Sequence, residues 1–411
     1  MIEQTPKAGG DAPDPGLTIV IPALNEAEAI GDTIQRCLEA RTRIVRDGGV
    51  GAVEIIVVSD GSTDETPQIA RGFEEVRVIE FPVNRGYGAA IKAGFQEGRG
   101  ELVGFLDADG TCDPLFFGNL CRSIRGEGAD IALGSRMSKE SKMPWVRTLG
   151  NRLYAILLST LSNQQVSDTA SGMRVMRREA LDALGPLPDG LHYTPAMSAR
   201  AVLKGLKVAE IPMSYDDRVG ESKLRVSTDG WRFLQAILDG VLLFRPERLF
   251  LVMAVVALGL ATLLSLNPVE FYLTNRRVEE WMIYRFVVAF LLGSAGVFAL
   301  SAAALVSRMS ELVLDRGPAP FVTSQLSRSF RGLRVWVLSL VLVGGSLALV
   351  WPGLVEYVGT GHVTLHWSRV IVAAFGRMVA FQAVLTGMLL RVTSLWLEFA
   401  VGRGGPLGRG T

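Results

Sequence analysis

Apolar residues follow two rhythms along this chain. Up to about residue 245, short apolar and β-branched runs alternate with polar, glycine-bearing turns, and beyond about residue 248 come four long stretches with few or no charges. The short runs at Leu17–Pro22, Val53–Val58, Val76–Phe81, Leu102–Leu106 and Ala129–Arg136 read as buried strands. Between them, helices are expected from Asn25 and Glu26 to about Ala40, from Asn84 through Lys92, and from Pro114 to Ile124. Strands alternating with helices at this spacing imply right-handed crossovers and a mostly parallel, Rossmann-like α/β sheet. Met143–Leu158 has apolar residues at helical spacing with Trp145 near its start and arginines between, so it fits either a helix in a membrane interface or one packed on the sheet.

The long stretches Leu249–Asn267, Phe286–Ser307, Val335–Val355 and Val370–Leu390 can each cross the hydrocarbon core as a helix. The expected organisation is a tail at 1–16, an α/β domain with interfacial helices at 17–245, an all-α transmembrane domain of four helices at 246–395, and a tail at 396–411. The connection from Arg308 to Arg334 carries five arginines, against two from Pro268 to Trp281 and none from Pro352 to Trp367. The positive-inside rule therefore puts that loop, the α/β domain and the C-terminal tail in the cytoplasm. Arg377, inside the fourth stretch, either snorkels toward a helix end or faces the bundle.

Composition narrows the classes. The net charge of +1 argues against a general nucleic-acid binder. Three cysteines without metal-type spacing suit a reducing compartment, and the opening residues, rich in Pro, Gly and Asp, read as a disordered tail and not as a signal peptide.

The candidate chemistry lies at strand ends, where ligands gather in open α/β sheets. The Leu102 run stops at Asp107 and Asp109, two carboxylates that can present oxygen ligands to a hard divalent cation. The second strand ends in Asp60-Gly61-Ser62-Thr63-Asp64, and Gly86 and Gly88 open a helix whose free N–H groups favour anions. Asp113, before Pro114, reads as a helix N-cap.

Five motifs in order, Pro22–Asn25–Glu26, Asp60–Ser62–Asp64, Asn84–Gly86–Gly88, Asp107–Asp109 and Gly134–Ser135–Arg136, resemble the family 2 glycosyltransferases with a GT-A fold. Within them the chain looks most like the polyprenyl-phosphate glycosyltransferases, the dolichyl-phosphate mannose and glucose synthase group. The resemblance implies that Pro22, Asn25, Glu26, Asp60, Ser62, Gly86, Lys92 and Asp107 contact the nucleotide of a nucleotide sugar, and that Asp107 and Asp109 hold Mg2+ or Mn2+. Asp168–Arg174 and Arg218–Lys223 resemble the family's Ser-Gly-Phe-Arg and Arg-x-Gly-x-Ser-Lys segments. Arg136, Arg147, Asn151, Arg174, Arg218, Ser222 and Lys223 are then expected around the phosphate of a polyprenyl phosphate acceptor, with Arg136 also serving catalysis beside Asp107 and Asp109. The resemblance implies inverting hexose transfer with the lipid bilayer as a partner, and it leaves a homo-oligomer open. Gly110 after the metal pair, where the mannose synthases carry Leu-Gln-His-Pro-Pro, looks closer to the glucose-transferring members. A processive polysaccharide synthase would carry a Gln-x-x-Arg-Trp stretch, which is absent. A non-catalytic nucleotide-binding scaffold would have no need of both carboxylates.

Overall fold

In the computed structural model, residues 16–137, 143–162, 164–214, 223, 226–314, 321–330 and 332–402 are described. The expected N-terminal tail falls almost entirely outside them. The chain divides into two compact units at Val241 and Leu242.

The first unit is built on a sheet of seven strands: β1 (Leu17–Ala23), β2 (Val53–Asp60), β3 (Arg77–Phe81), β4 (Leu102–Leu106), β5 (Ile131–Ser135), β6 (Met173–Arg177) and β7 (Val208–Pro212), in the order β3-β2-β1-β4-β6-β5-β7. All neighbours run parallel except β6, which is antiparallel to both β4 and β5. The five strands read from hydrophobic pattern are present. β6 and β7 were not anticipated, because their pairing is decided by partners far away in sequence.

Both faces of the sheet are buried, which is why its central strands read as continuous apolar runs. Ile19, Ile21, Ile55 and Val57 point to one core, with Ile34 and Cys37 of α1 (Ile30–Gly48) and Phe117 and Leu120 of α4 (Phe117–Glu127). Val20, Ile56 and Val58 point to the other, with Ile91 and Phe95 of α3 (Tyr87–Glu97) and Met197 of α7 (Tyr193–Lys204). Period-two alternation thus sorts the strand residues between two cores. Short helices α2 (Thr66–Arg71) and α6 (Arg178–Ala183) and the longer α5 (Trp145–Leu161) complete the layers, and α8 (Val226–Phe244) follows β7. A mixed, mostly parallel sheet covered by helices on both faces is the GT-A arrangement.

One boundary differs for a local reason. The helix expected from Asn25 begins only at Ile30, because Asn25 takes a left-handed conformation (φ 49°). The next amides are drawn to the loop after β2: Glu26 N–H donates to Thr66 Oγ1 (2.8 Å) and Ala27 N–H to Asp64 Oδ2 (3.2 Å). At the other end α1 runs on to Gly48, where left-handed Gly49 donates to the Val45 carbonyl as a C-cap.

Among the described residues the second unit holds four helices long and apolar enough to cross a membrane: α9 (Pro246–Asn275), α10 (Ile283–Leu314), α12 (Leu333–Thr360) and α13 (Trp367–Gly402), with the short α11 (Phe321–Ser329) between the second and third. Each outruns its apolar stretch, so α9 continues past Pro268 and α13 takes in part of the expected C-terminal tail. Its packed faces are lined by small residues, including Ala303, Ala373 and Ala380, and Ser339 donates to the Ala380 carbonyl (3.3 Å). Large apolar side chains such as Val255 and Leu340 point outward, as a bilayer requires. Arg377 is exposed and its Nε donates to the Ala373 carbonyl one turn back (3.4 Å), so it does not sit in the packed interior.

Candidate active site

The carboxyl ends of β1, β2 and β4 open into a cavity of about 490 Å³. Pro22 and Glu26 reach it from the turn after β1, Asp60 from the end of β2, Gly86 and Tyr87 from the start of α3, and Asp107 and Asp109 from the turn after β4. Arg136 enters from the end of β5, and Arg147 and Asn151 from α5. Most of the residues predicted from sequence are therefore brought together, although their roles divide.

Asp60 is buried and its carboxylate accepts from the Arg85 and Gly86 amides (2.7 and 2.9 Å). It thereby fixes the entry to α3. Gly86 has φ 107°, and a side chain there would strike the Asp189 carbonyl, so only glycine allows the loop before α7 to pack against this turn. Asn25 and Ser62 brace the same region without lining the cavity. Asn25 Oδ1 accepts from the Thr63 amide (2.8 Å), and Ser62 Oγ accepts from the Asn25 amide (3.1 Å). Both are expected at the nucleotide, and their polar atoms tie two strand-end loops together. Asp113 caps the following helical turn as expected, accepting from the Leu115 amide (3.0 Å).

Asp107 and Asp109 both line the cavity. Asp107 Oδ1 accepts a 2.6 Å hydrogen bond from the Tyr87 hydroxyl, and Asp109 Oδ1 accepts from the hydroxyl and amide of Thr111 (2.7 and 3.2 Å). Burial, then the adjacent Asp107 charge, pushes the Tyr87 phenol well above its ordinary value, so it remains a donor. Among the described residues no group of three or more His, Cys, Asp or Glu side chains could hold a metal ion. Two carboxylates on the wall of an open cavity suit a hard cation that takes its other oxygens from a diphosphate and water.

The cationic residues sort less evenly. Arg136 forks onto Asp168, Nε to Oδ2 and Nη2 to Oδ1, both at 2.8 Å, and Asn151 Nδ2 donates to the same Oδ1 (3.1 Å). Burial raises the Asp168 pKa, but the Arg136 charge and hydrogen bonds outweigh it and hold this fully buried carboxyl below the usual range. Lys223 lines the cavity with Nζ on Glu26 Oε1 (2.7 Å) and on the Leu24 and Asn25 carbonyls. It therefore stands at the turn after β1, where the nucleotide residues were expected, and Arg218 and Ser222 lie outside the described residues.

Besides Asn25 and Ser62, two further predicted residues lie outside the cavity lining. Arg174 is fully buried under the site, donating to the Ser171 and Thr169 carbonyls (3.1 and 3.0 Å) and to Ser198 Oγ (2.8 Å). Burial lowers its pKa to about 10. It is a core strut for the loop before β6, because its register on β6 turns it inward. Lys92 donates to the Leu187 carbonyl (2.8 Å) and pairs with Asp189 (2.5 Å), outside the central cavity, because its place on α3 points it toward the loop before α7. Tyr87, Tyr154, Arg232 and Phe233 line the cavity without having been singled out. Tyr87 stood inside a quoted motif, and the other three lie on helices whose apolar pattern reads as ordinary packing.

A nucleotide-type sheet with an acidic pair at the end of β4 is the arrangement of a GT-A domain. The family described as glycosyl transferase family 2 matches residues 18–185. The dolichyl-phosphate hexose transferase of Haloferax volcanii is 33% identical over 209 residues, covering 51% of this chain and 86% of that protein. The low-salt glycan biosynthesis hexosyltransferase Agl6 of the same organism is 34% identical over 254 residues, 60% of each chain. A crystal structure of glucosyl-3-phosphoglycerate synthase from Mycobacterium tuberculosis overlaps 55% of this chain and 80% of its own, at 23% identity and a TM-score of 0.45. The chain belongs to glycosyltransferase family 2.

Proposed function

We propose that this protein transfers a hexose, with inversion, from a nucleotide sugar of the UDP-glucose or GDP-mannose type to a polyprenyl phosphate (undecaprenyl or dolichyl) at the cytoplasmic membrane face. The observation that carries the reading is one cavity that collects the Asp107–Asp109 pair together with Arg136 and Arg147. The name of the 33% identical relative, a dolichyl-phosphate hexose transferase, supports a lipid-phosphate acceptor. So does α5, which lines the cavity with Arg147, Asn151 and Tyr154 while exposing Trp145, Leu149, Leu153 and Ile156 at helical spacing, as a helix at a lipid surface would.

In this scheme a phosphate oxygen of the acceptor attacks the anomeric carbon as the bond from that carbon to the nucleoside diphosphate breaks. A phosphate monoester, with a second pKa near about 6, is already mostly dianionic at neutral pH and needs no residue to remove a proton. It needs cations that let two anions approach. Arg136, oriented by Asp168 and with 12% of its side chain exposed, and Arg147 from α5 supply them. The Gly86 turn, fixed by Asp60, shapes the nucleotide side of the cavity. Asp107 and Asp109 would hold a divalent cation, which would supply charge neutralisation for a diphosphate leaving group. Purified protein incubated with polyprenyl phosphate and a panel of labelled nucleotide sugars should yield a lipid-phosphate-linked sugar from one donor. Failure with every donor, under conditions where nucleotide binds, would sink the reading.

A further inference from the structure

Asp107 is gripped from two sides by residues outside the acidic pair. On one side, Tyr87 donates its hydroxyl to Oδ1 at 2.6 Å. The phenol is anchored by the strand that carries Asp107: its ring meets the fully buried Phe105 of β4 edge-on, with centroids 6.4 Å apart and planes at 86°. On the other side lies Gly172, where a Cβ would collide with Asp107 Oδ2. The pairing of β4 with β6 sets this contact, since Leu106 lies opposite Met173 and the next residue out on each strand is Asp107 or Gly172.

We propose that Tyr87 and Gly172 are positioning residues that fix the direction in which Asp107 presents its carboxylate to a divalent cation, a proposal that rests on the reading of Asp107 and Asp109 as a metal site. A carboxylate whose torsion is set beforehand loses less freedom when it binds a cation, and partners that orient a ligand commonly change metal affinity about 10–100-fold. Tyr87→Phe keeps the ring against Phe105 and removes only the donor. Gly172→Ala leaves the Tyr87 donor in the chain and pushes the Asp107 carboxylate from the opposite side.

The test is Mn2+ binding to the full-length protein in detergent, read by electron paramagnetic resonance with UDP or GDP present, beside metal-free nucleotide binding and thermal midpoint. The expected result for Tyr87→Phe is an Mn2+ dissociation constant raised about 10-fold, with metal-free nucleotide binding and midpoint unchanged, which a purely structural role would not give. Gly172→Ala should weaken Mn2+ binding further. Asp109→Asn serves as the control. If it weakens Mn2+ binding while Tyr87→Phe does not, the positioning role is overturned and the metal site stands. If Asp109→Asn also leaves Mn2+ binding intact, the metal site falls and the positioning role with it.

Discussion

Arg136 and Asp168 form a bidentate ion pair, both bonds 2.8 Å, on a carboxylate with no solvent exposure. Removing one partner of such a pair strands the other, so Asp168→Ala should destabilise the first unit by about 3–5 kcal/mol. The pH dependence follows from the sign of the shift. The folded pKa of Asp168 lies below its unfolded value, so the contribution is complete above about pH 4 and is lost as pH falls through the depressed value. Chemical denaturation between about pH 3 and 7 should show this acid-side loss in the wild type and its attenuation in Asp168→Asn.

Replacing Asp107 or Asp109 by Asn preserves size and removes charge. Transfer should fall by about 100-fold or more with the thermal midpoint little changed. An Asp109→Asn enzyme as active as wild type in the presence of a chelator would contradict the assignment.

Arg147 and Arg174 make a discriminating pair. Arg174 is a buried strut, so Arg174→Ala should cost on the order of 3 kcal/mol of stability and lower expression. Arg147 lines the cavity, so Arg147→Ala should raise the lipid-phosphate KM by about tenfold with stability intact. Steady-state kinetics with separate acceptor and donor titrations, beside melting curves, checks both.

The topology is open to cysteine labelling. Cys37, Cys112 and Cys121 are buried and give little background. Cysteines at Arg316 and Gly404 should label from the same side as the catalytic unit, and one at His362 from the other.

Local signals were legible in the sequence. The runs ending at Asp60 and Asp107 announced the strands, because burial on two faces forces a continuous apolar stretch, and both residues line the cavity. The Asp113 cap was legible because it spans two residues. Side-chain direction was not. Arg174 and Lys92 carry the charge a phosphate needs, yet one points into the core and the other toward Leu187 and Asp189. Strand register and helix rotation decide those directions, and both depend on contacts with distant residues. Asn25 shows the same limit from the backbone side, since its left-handed turn is held by Thr63 and Ser62.

The antiparallel β6, between β4 and β5, sets up a ruler at the heart of the enzyme. Its backbone pairing places the end of Leu106 against Met173, so the loop bearing Asp168 and the turn bearing Asp107 keep their spacing through main-chain hydrogen bonds. Side chains on either loop can vary without moving the two apart. Insertion of a single residue between 173 and 177 would exchange the side chains on one side of it between the two cores, which Met173 and Val175 on one face and Met176 on the other now fill. Chemical variety in this scaffold is thus cheap by substitution and forbidden by slippage.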